Sequence, residues 1–189
     1  MTPGIHLGNI TCRNELRPGD LGYIAYLHGQ IYAKECGYGL GFEAYVLEGL
    51  QEFAHQYDPD RDRVWICEHD NNIVGFLLGF HRSDSMHRSD SMHRSDSGHQ
   101  TDTLQLRYFI LLPDYRGIGL GKKLMLEFLA FMKLSNYTRA YLWTTNEQHA
   151  AVSLYTRYGF RLTEEKTSDA FDKQLTERKY ELELPTNSK

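Results

Sequence analysis

The sequence predicts a mixed α/β or α+β domain in which two helices precede three strands, followed by helix, strand, helix and two strands. Three observations carry this expectation. Apolar residues recur at three- and four-residue intervals as far as Tyr57; the pattern then turns to short runs rich in β-branched and aromatic residues; and a stretch with Gly117, Gly119 and Gly121 joins an apolar strand to an amphipathic segment.

The first helix is expected in "RPGDLGYIAYLHGQIYAKECG", where Pro18 and Asp20 suit a start and Gly37 a stop. Leu21, Ile24, His28, Ile31, Tyr32 and Glu35 share one face, which begins apolar and ends polar. A second helix follows in "GFEAYVLEGLQEFAHQY", with a stripe of Phe42, Val46, Leu50, Phe53 and Tyr57. "RVWICE" and "IVGFLLGF", separated by "HDNN", read as a hairpin. The six-residue unit repeated in residues 81–101 is polar and reads as a mobile loop.

"TLQLRYFILLP" is the next strand, with Leu104, Leu106, Tyr108 and Ile110 expected on one face and Gln105, Arg107, Phe109 and Leu111 on the other. After the glycines, Leu120, Leu124, Phe128, Phe131 and Met132 form a helical apolar face, from which Lys122, Lys123 and Glu127 look away. "RAYLWTT" is a strand, "EQHAAVSLYTRYG" a short helix, and "FRLTEEKT" and "RKYELEL" the last strands. Residues 9–185 are thus expected to form one domain, with tails at 1–8 and 186–189.

Bulk properties disfavour several classes. Lys and Arg number 21 against 25 Asp and Glu, a net charge of -4 with no long block of either sign, which disfavours a nucleic-acid partner. No uncharged run reaches the roughly 18 residues of a membrane span, and the N-terminus lacks a signal pattern, so a soluble cytoplasmic protein is expected. Cys12, Cys36 and Cys67 are odd in number and in no CxxC spacing; they are expected as reduced thiols, without a disulfide framework or zinc site. His81, His87 and His93 lie six residues apart in a flexible repeat, which does not predict a metal site.

A strand that runs through glycines into a helix is an anion site: the first helical N–H groups have no intrahelical partner, and the helix dipole favours negative charge. A phosphate or pyrophosphate fits Gly117, Gly119 and Gly121, with Arg116, Lys122 and Lys123 adding attraction or standing as solvated surface charges. The P-loop pattern fails, because Arg116 stands at its first glycine and Lys123 at its hydroxyl residue. The dinucleotide fingerprint fails at Lys122, where it needs glycine. What remains is R-x-x-G-x-G, or a plain glycine-rich turn.

"LLPDYRGIGLGKKLM" together with "AAVSLYTRYGF" resembles the GNAT superfamily of acetyl-CoA-dependent N-acetyltransferases, and the resemblance runs from "LRPGDLG" to "YELEL". The wording is similar to the acetyltransferase domain found fused to MarR-type regulators. The resemblance implies a mostly antiparallel sheet of about six to seven strands flanked by about four helices, splayed at the cofactor site. It implies acetyl-CoA as acetyl donor, its pyrophosphate held by the backbone of Gly117, Ile118, Gly119, Leu120, Gly121 and Lys122, and its pantetheine arm by main-chain groups of Phe109, Ile110 and Leu111. Gln148, three residues before Ala151, stands where the family carries an asparagine that contacts the cofactor; Asn146 is the substitute.

Tyr155 takes the place of the tyrosine that protonates the leaving thiolate, for which a phenol with a pKa of about 10 is suited. Several relatives use a strand glutamate as base, but Trp143 stands there and cannot accept a proton, so the role passes to another residue or to water. His28, Tyr32 and Glu35, polar groups on an inward face, are candidates for the acceptor amine, with His28 or Glu35 as base; the alternative is a hydrogen-bonded core histidine and a rim glutamate. Arg107 either pairs with a substrate carboxylate or forms a salt bridge across the sheet. The expected activity is acetyl transfer to a primary amine of a small molecule or peptide within a ternary complex, without metal or acyl-enzyme. The alternative is an acetyl-CoA sensor or interaction module. Relatives often dimerise through their last strands, so a homodimer is a further expectation.

Overall fold

The computed structural model describes residues 4–82 and 103–185. Seven strands form one sheet: β1 (Thr11–Arg13), β2 (Arg63–His69), β3 (Asn72–Arg82), β4 (Thr103–Leu111), β5 (Arg139–Thr145), β6 (Arg161–Ser168) and β7 (Leu175–Glu183). The order is β1-β2-β3-β4-β5-β7-β6, antiparallel throughout except for the parallel pair β4 and β5. Four helices complete it: α1 (Asp20–Cys36), α2 (Leu40–Gln56), α3 (Leu120–Leu134) and α4 (His149–Arg157). The fold is the mixed sheet and four-helix arrangement expected from the sequence.

Most element limits follow from local chemistry. Gly37 closes α1 in the left-handed region, with its N–H bonded to the Ala33 carbonyl. Asp70 and Asn71 both have positive φ, which makes the two-residue connection that suits the twist of the β2–β3 hairpin. The sheet separates two cores. Leu120, Leu124, Phe128 and Met132 of α3 pack on one face with Trp65 and Leu77, while Ile24 of α1 and Val46, Leu50 and Phe53 of α2 pack on the other with Ile66, Phe76 and Leu78.

Three expectations change. Strand β1 has too few residues to show an alternating pattern; it pairs with β2 with Cys12 opposite Cys67, and those two form a disulfide, so the expectation of three reduced thiols is corrected. His81 and Arg82 belong to β3, not to a loop; the remainder of the repeat, with His87 and His93, lies outside the described residues. Strand β4 does not keep one face throughout. Its pairing with β3 runs Phe76 to Ile110, then Leu78 to Arg107, so Tyr108 and Phe109 share one opposing residue, and Tyr108 takes a φ of 53°. This bulge puts Leu104, Leu106, Phe109 and Leu111 on the α3 side but Tyr108 and Ile110 on the α1 and α2 side.

The β4–β5 ladder covers only Thr103 to Gln105 against Arg139 to Tyr141, and beyond it the strands part. No helix among the described residues is long and apolar enough to cross a membrane.

Candidate active site

Where β4 and β5 separate, a cavity of about 140 Å³ opens on the α1 and α2 side. Several elements converge on it. Helix α1 supplies His28 and Tyr32, α2 supplies Phe42 and Tyr45, β4 supplies Arg107 to Phe109, β5 supplies Trp143, α4 and the residue before it supply Tyr155 and Gln148, the β6–β7 connection supplies Phe171, and β7 supplies Glu177. The rings interlock: Tyr32 lies 4.8 Å from Phe42, and Phe42 lies 4.9 Å from Phe171 between centroids.

His28 is buried, and its Nδ1 lies 2.8 Å from the Ile24 carbonyl. A carbonyl only accepts, so Nδ1 carries the hydrogen and Nε2 is an acceptor. Burial, reinforced by the charge of Arg107, lowers the imidazole to about 4, which keeps it neutral near pH 7. Burial pushes Tyr32 up to about 12 and raises Tyr155 further above the ordinary phenol value, with Tyr32 adding to the shift at Tyr155. Both phenols therefore keep their protons in neutral solution. Tyr155 packs between Phe109 and Phe160, with centroids 6.4 and 6.0 Å away.

The glycine stretch lies at the start of α3. Gly117 and Gly119 have φ of 77° and 96°, and Gly119 caps the helix without a side-chain hydrogen bond, so the first N–H groups of α3 receive no side-chain cap. A Cβ at Gly117 would meet nothing within 4 Å; the glycine answers a backbone demand, not crowding. Arg116, next to this stretch, is held by two partners. Its Nε donates to the Leu111 carbonyl and its Nη1 reaches Glu35 at 2.9 Å, joining the loop to the end of α1.

These features fit a long anionic cofactor with an acyl arm. The uncapped helix start suits a pyrophosphate, and Leu106 to Leu111 have no ladder partner on the β5 side, which leaves main-chain groups for an amide-bearing chain.

Residues 29–160 match the acetyltransferase (GNAT) family. The chain belongs to that family. It is therefore an acyltransferase, of a family whose acetyl donor is acetyl-CoA. Solved GNAT-like structures resemble it over nearly the whole chain. A GNAT acetyltransferase from Staphylococcus aureus Mu50 has a TM-score of 0.68 at 20% identity, covering 93% of this chain and 99% of that one. Arabidopsis thaliana NAA60 in complex with acetyl-CoA has 0.67 at 17%, with the same coverage. Salmonella typhimurium yncA, a putative acetyltransferase with its cofactor acetyl-CoA, has 0.61 at 16%, covering 96% and 97%. At such identities the likeness is one of fold. No curated protein matches the chain.

In this GNAT domain the residues singled out from sequence fall into two groups. His28, Tyr32, Arg107, Phe109, Gln148 and Tyr155 line one cavity, whereas the Gly117 to Lys122 stretch lies apart at the α3 start. Glu35 does not line the cavity and is paired with Arg116. The Gln148 amide approaches the Cys36 sulfur at 3.0 Å, and Asn146 accepts from the Thr176 N–H, which holds that side chain against β7. Sequence reasoning missed Tyr38, Phe42, Tyr45 and Phe171 as cavity walls. The spacing of Phe42 puts it on the core stripe of α2, a periodicity that does not distinguish a core from a pocket wall.

Proposed function

We propose that the chain is an N-acetyltransferase that moves an acetyl group from acetyl-CoA to a primary amine of a small molecule or peptide by direct attack in a ternary complex. One observation supports this most: the cavity holding Tyr155 and His28 opens at the β4–β5 divergence, next to the strand that leads into the uncapped start of α3.

Acetyl-CoA, when bound, supplies an activated thioester. The remaining roles fall to the chain. Backbone N–H groups around Gly117 to Lys122 hold the pyrophosphate, and main-chain groups of Phe109, Ile110 and Leu111 orient the arm. Tyr155, kept protonated by its burial, donates a proton to the departing sulfur and is reprotonated from solvent, while the proton that the nitrogen loses on forming the amide passes to water. His28 Nε2 accepts a hydrogen bond from the amine; at about 4 its imidazole is a weak base, so the cleft favours an amine that arrives neutral. Trp143 has no proton-accepting group. Burial raises the Cys36 thiol and so opposes its ionisation, which agrees with transfer that does not pass through the protein.

Thiol release from acetyl-CoA across a panel of amines and peptides, in wild type and Tyr155→Phe, tests this reading. Release with one amine class, lost in the variant, is expected. Tight acetyl-CoA binding without release would move the assignment to the second reading, an acetyl-CoA sensor or interaction module, which Trp143 at the family's base position favours. That reading also suits the resemblance to domains fused to MarR-type regulators.

Two further proposals accompany the enzyme. Homodimerisation is supported by β6, an edge strand exposed along most of its length, and sedimentation tests it. A cytoplasmic setting agrees with the sequence, whereas the Cys12–Cys67 bond is the observation that opposes it.

A further inference from the structure

We propose that the acceptor is an amine that also carries a carboxylate, that Arg107 reads this carboxylate, and that the rings of the cleft enclose an apolar or aromatic body. The inference rests on the acetyl-transfer reading above and names the substrate class of that same site.

Charge bookkeeping around the cleft is the first argument. The Arg107 side chain is only 12% exposed, and among the described residues the carboxylate in ion-pair range is Glu52, at 3.5 Å. Glu52 is already held by Arg82, whose two terminal nitrogens meet its two oxygens. Two guanidiniums thus share one carboxylate, and a nearly buried cation is left short of an anion. A charge removed from water needs a partner. The guanidinium is planar, always charged and forked, the shape that takes a carboxylate through two parallel hydrogen bonds.

The second argument is that the position is built. Arg107 stands at the β4 bulge, beside Tyr108. A Cβ on Gly49 of α2 would overlap both the Arg107 Nη2 and the Tyr108 hydroxyl. Only a residue without a side chain lets the guanidinium settle against the helix at the edge of the cavity. The rings of Tyr108 and Tyr45 lie 4.9 and 5.9 Å from its central carbon and hold it from the side.

The third argument is what the cleft lacks. Glu177 on the opposite wall pairs with Lys166, Glu35 with Arg116 and Glu147 with Lys173. Each of these acids already has a cation in range, which weakens the pull of the cleft on a second ammonium group. This disfavours polyamines. Arg107's charge is also felt at His28, whose ring packs on the same Tyr108 ring, so a bound amine is pressed toward its neutral, nucleophilic form.

The test compares pairs of acceptors that differ only in the carboxylate: L-phenylalanine with phenethylamine, and L-leucine with isopentylamine. Wild type is expected to favour the acid by at least about tenfold in kcat/KM, the scale of one charge-assisted pair. In Arg107→Gln the ratio falls to about one, Arg107→Lys gives an intermediate ratio, and Gly49→Ala lowers the ratio by displacing the guanidinium. A wild-type preference for the decarboxylated amines overturns the proposal, as does an equal loss for both members of a pair in Arg107→Gln. Calorimetric binding of N-acetyl-L-phenylalanine against N-acetylphenethylamine reads the same recognition without turnover. Tighter binding of the acid supports Arg107's role even if no acetyl transfer is found, in which case only the enzymatic reading fails; equal binding of the two sinks the carboxylate assignment.

Discussion

Arg116 and Glu35 meet at 2.9 Å and tie the loop before α3 to the last turn of α1. Both side chains are more than a third exposed, so water screens the pair. Glu35→Ala is expected to change unfolding free energy by less than about 1 kcal/mol in urea melts. The variant leaves Arg116 without its carboxylate beside the proposed pyrophosphate cradle, and the KM for acetyl-CoA is expected to shift about two- to fivefold while kcat holds.

Tyr155→Phe removes the hydroxyl and keeps the ring between Phe109 and Phe160. A general acid contributes on the order of 10²-fold or more, so kcat should drop by about that factor with the KM for acetyl-CoA nearly unchanged. Because burial holds the phenol above its ordinary value, the wild-type rate should show no decline from Tyr155 ionisation up to about pH 10. An unchanged kcat in the variant removes Tyr155 from the chemistry.

His28 links stability to pH. Its folded value is depressed to about 4 from 6.5, so between those values the unfolded chain binds the extra proton. The stabilisation is present above pH 6.5 and is lost as pH falls toward 4, with a full size of roughly 3 kcal/mol. Burial raises Asp62, which works in the opposite sense. Urea midpoints from pH 7 to 4.5 should fall more steeply for wild type than for His28→Asn; parallel slopes would falsify the assignment.

Gly117→Ala tests a backbone demand with no crowding to confuse it. The left-handed φ costs a residue with a Cβ roughly 1 to 2 kcal/mol. Relaxation of the loop toward negative φ would turn its N–H groups, so the KM for acetyl-CoA should rise about tenfold. Loss of stability without a change in KM would separate the loop from the cofactor.

The Cys12–Cys67 bond spans 55 residues. Closing a loop of that length removes unfolded-state entropy worth up to about 4 kcal/mol. Reductant should therefore lower Tm in wild type but not in Cys12→Ala, and intact mass should differ by the two hydrogens of the reduced pair. Identical masses with and without reductant would show free thiols.

Much of this architecture was legible because local chemistry announces itself. The "HDNN" turn, Gly37 and the glycines before α3 name their own backbone states, and the face of α3 repeats cleanly. Three things were hidden. A three-residue strand has no period, so β1 carried no signal. A tyrosine with positive φ looks like any other tyrosine, so the bulge at Tyr108 was invisible and the faces of β4 were assigned as if unbroken. The cavity assembles from residues far apart in sequence, and Phe171 joins His28 only through the tertiary fold. Roles that depend on a single backbone stretch could be read; roles that depend on which walls converge could not.

Strand β7 lies between β5 and β6 in the sheet, although it follows both in the chain. During synthesis β6 leaves the ribosome with no strand to join, and the connection bearing Phe171 has no anchor on its far side until Leu175 to Glu183 arrive. A nascent chain can gather its first five strands and the glycine stretch before α3, yet the cavity stays unfinished. The wall that Phe171 contributes is therefore set only once β7 has entered the sheet between strands that both precede it in the chain.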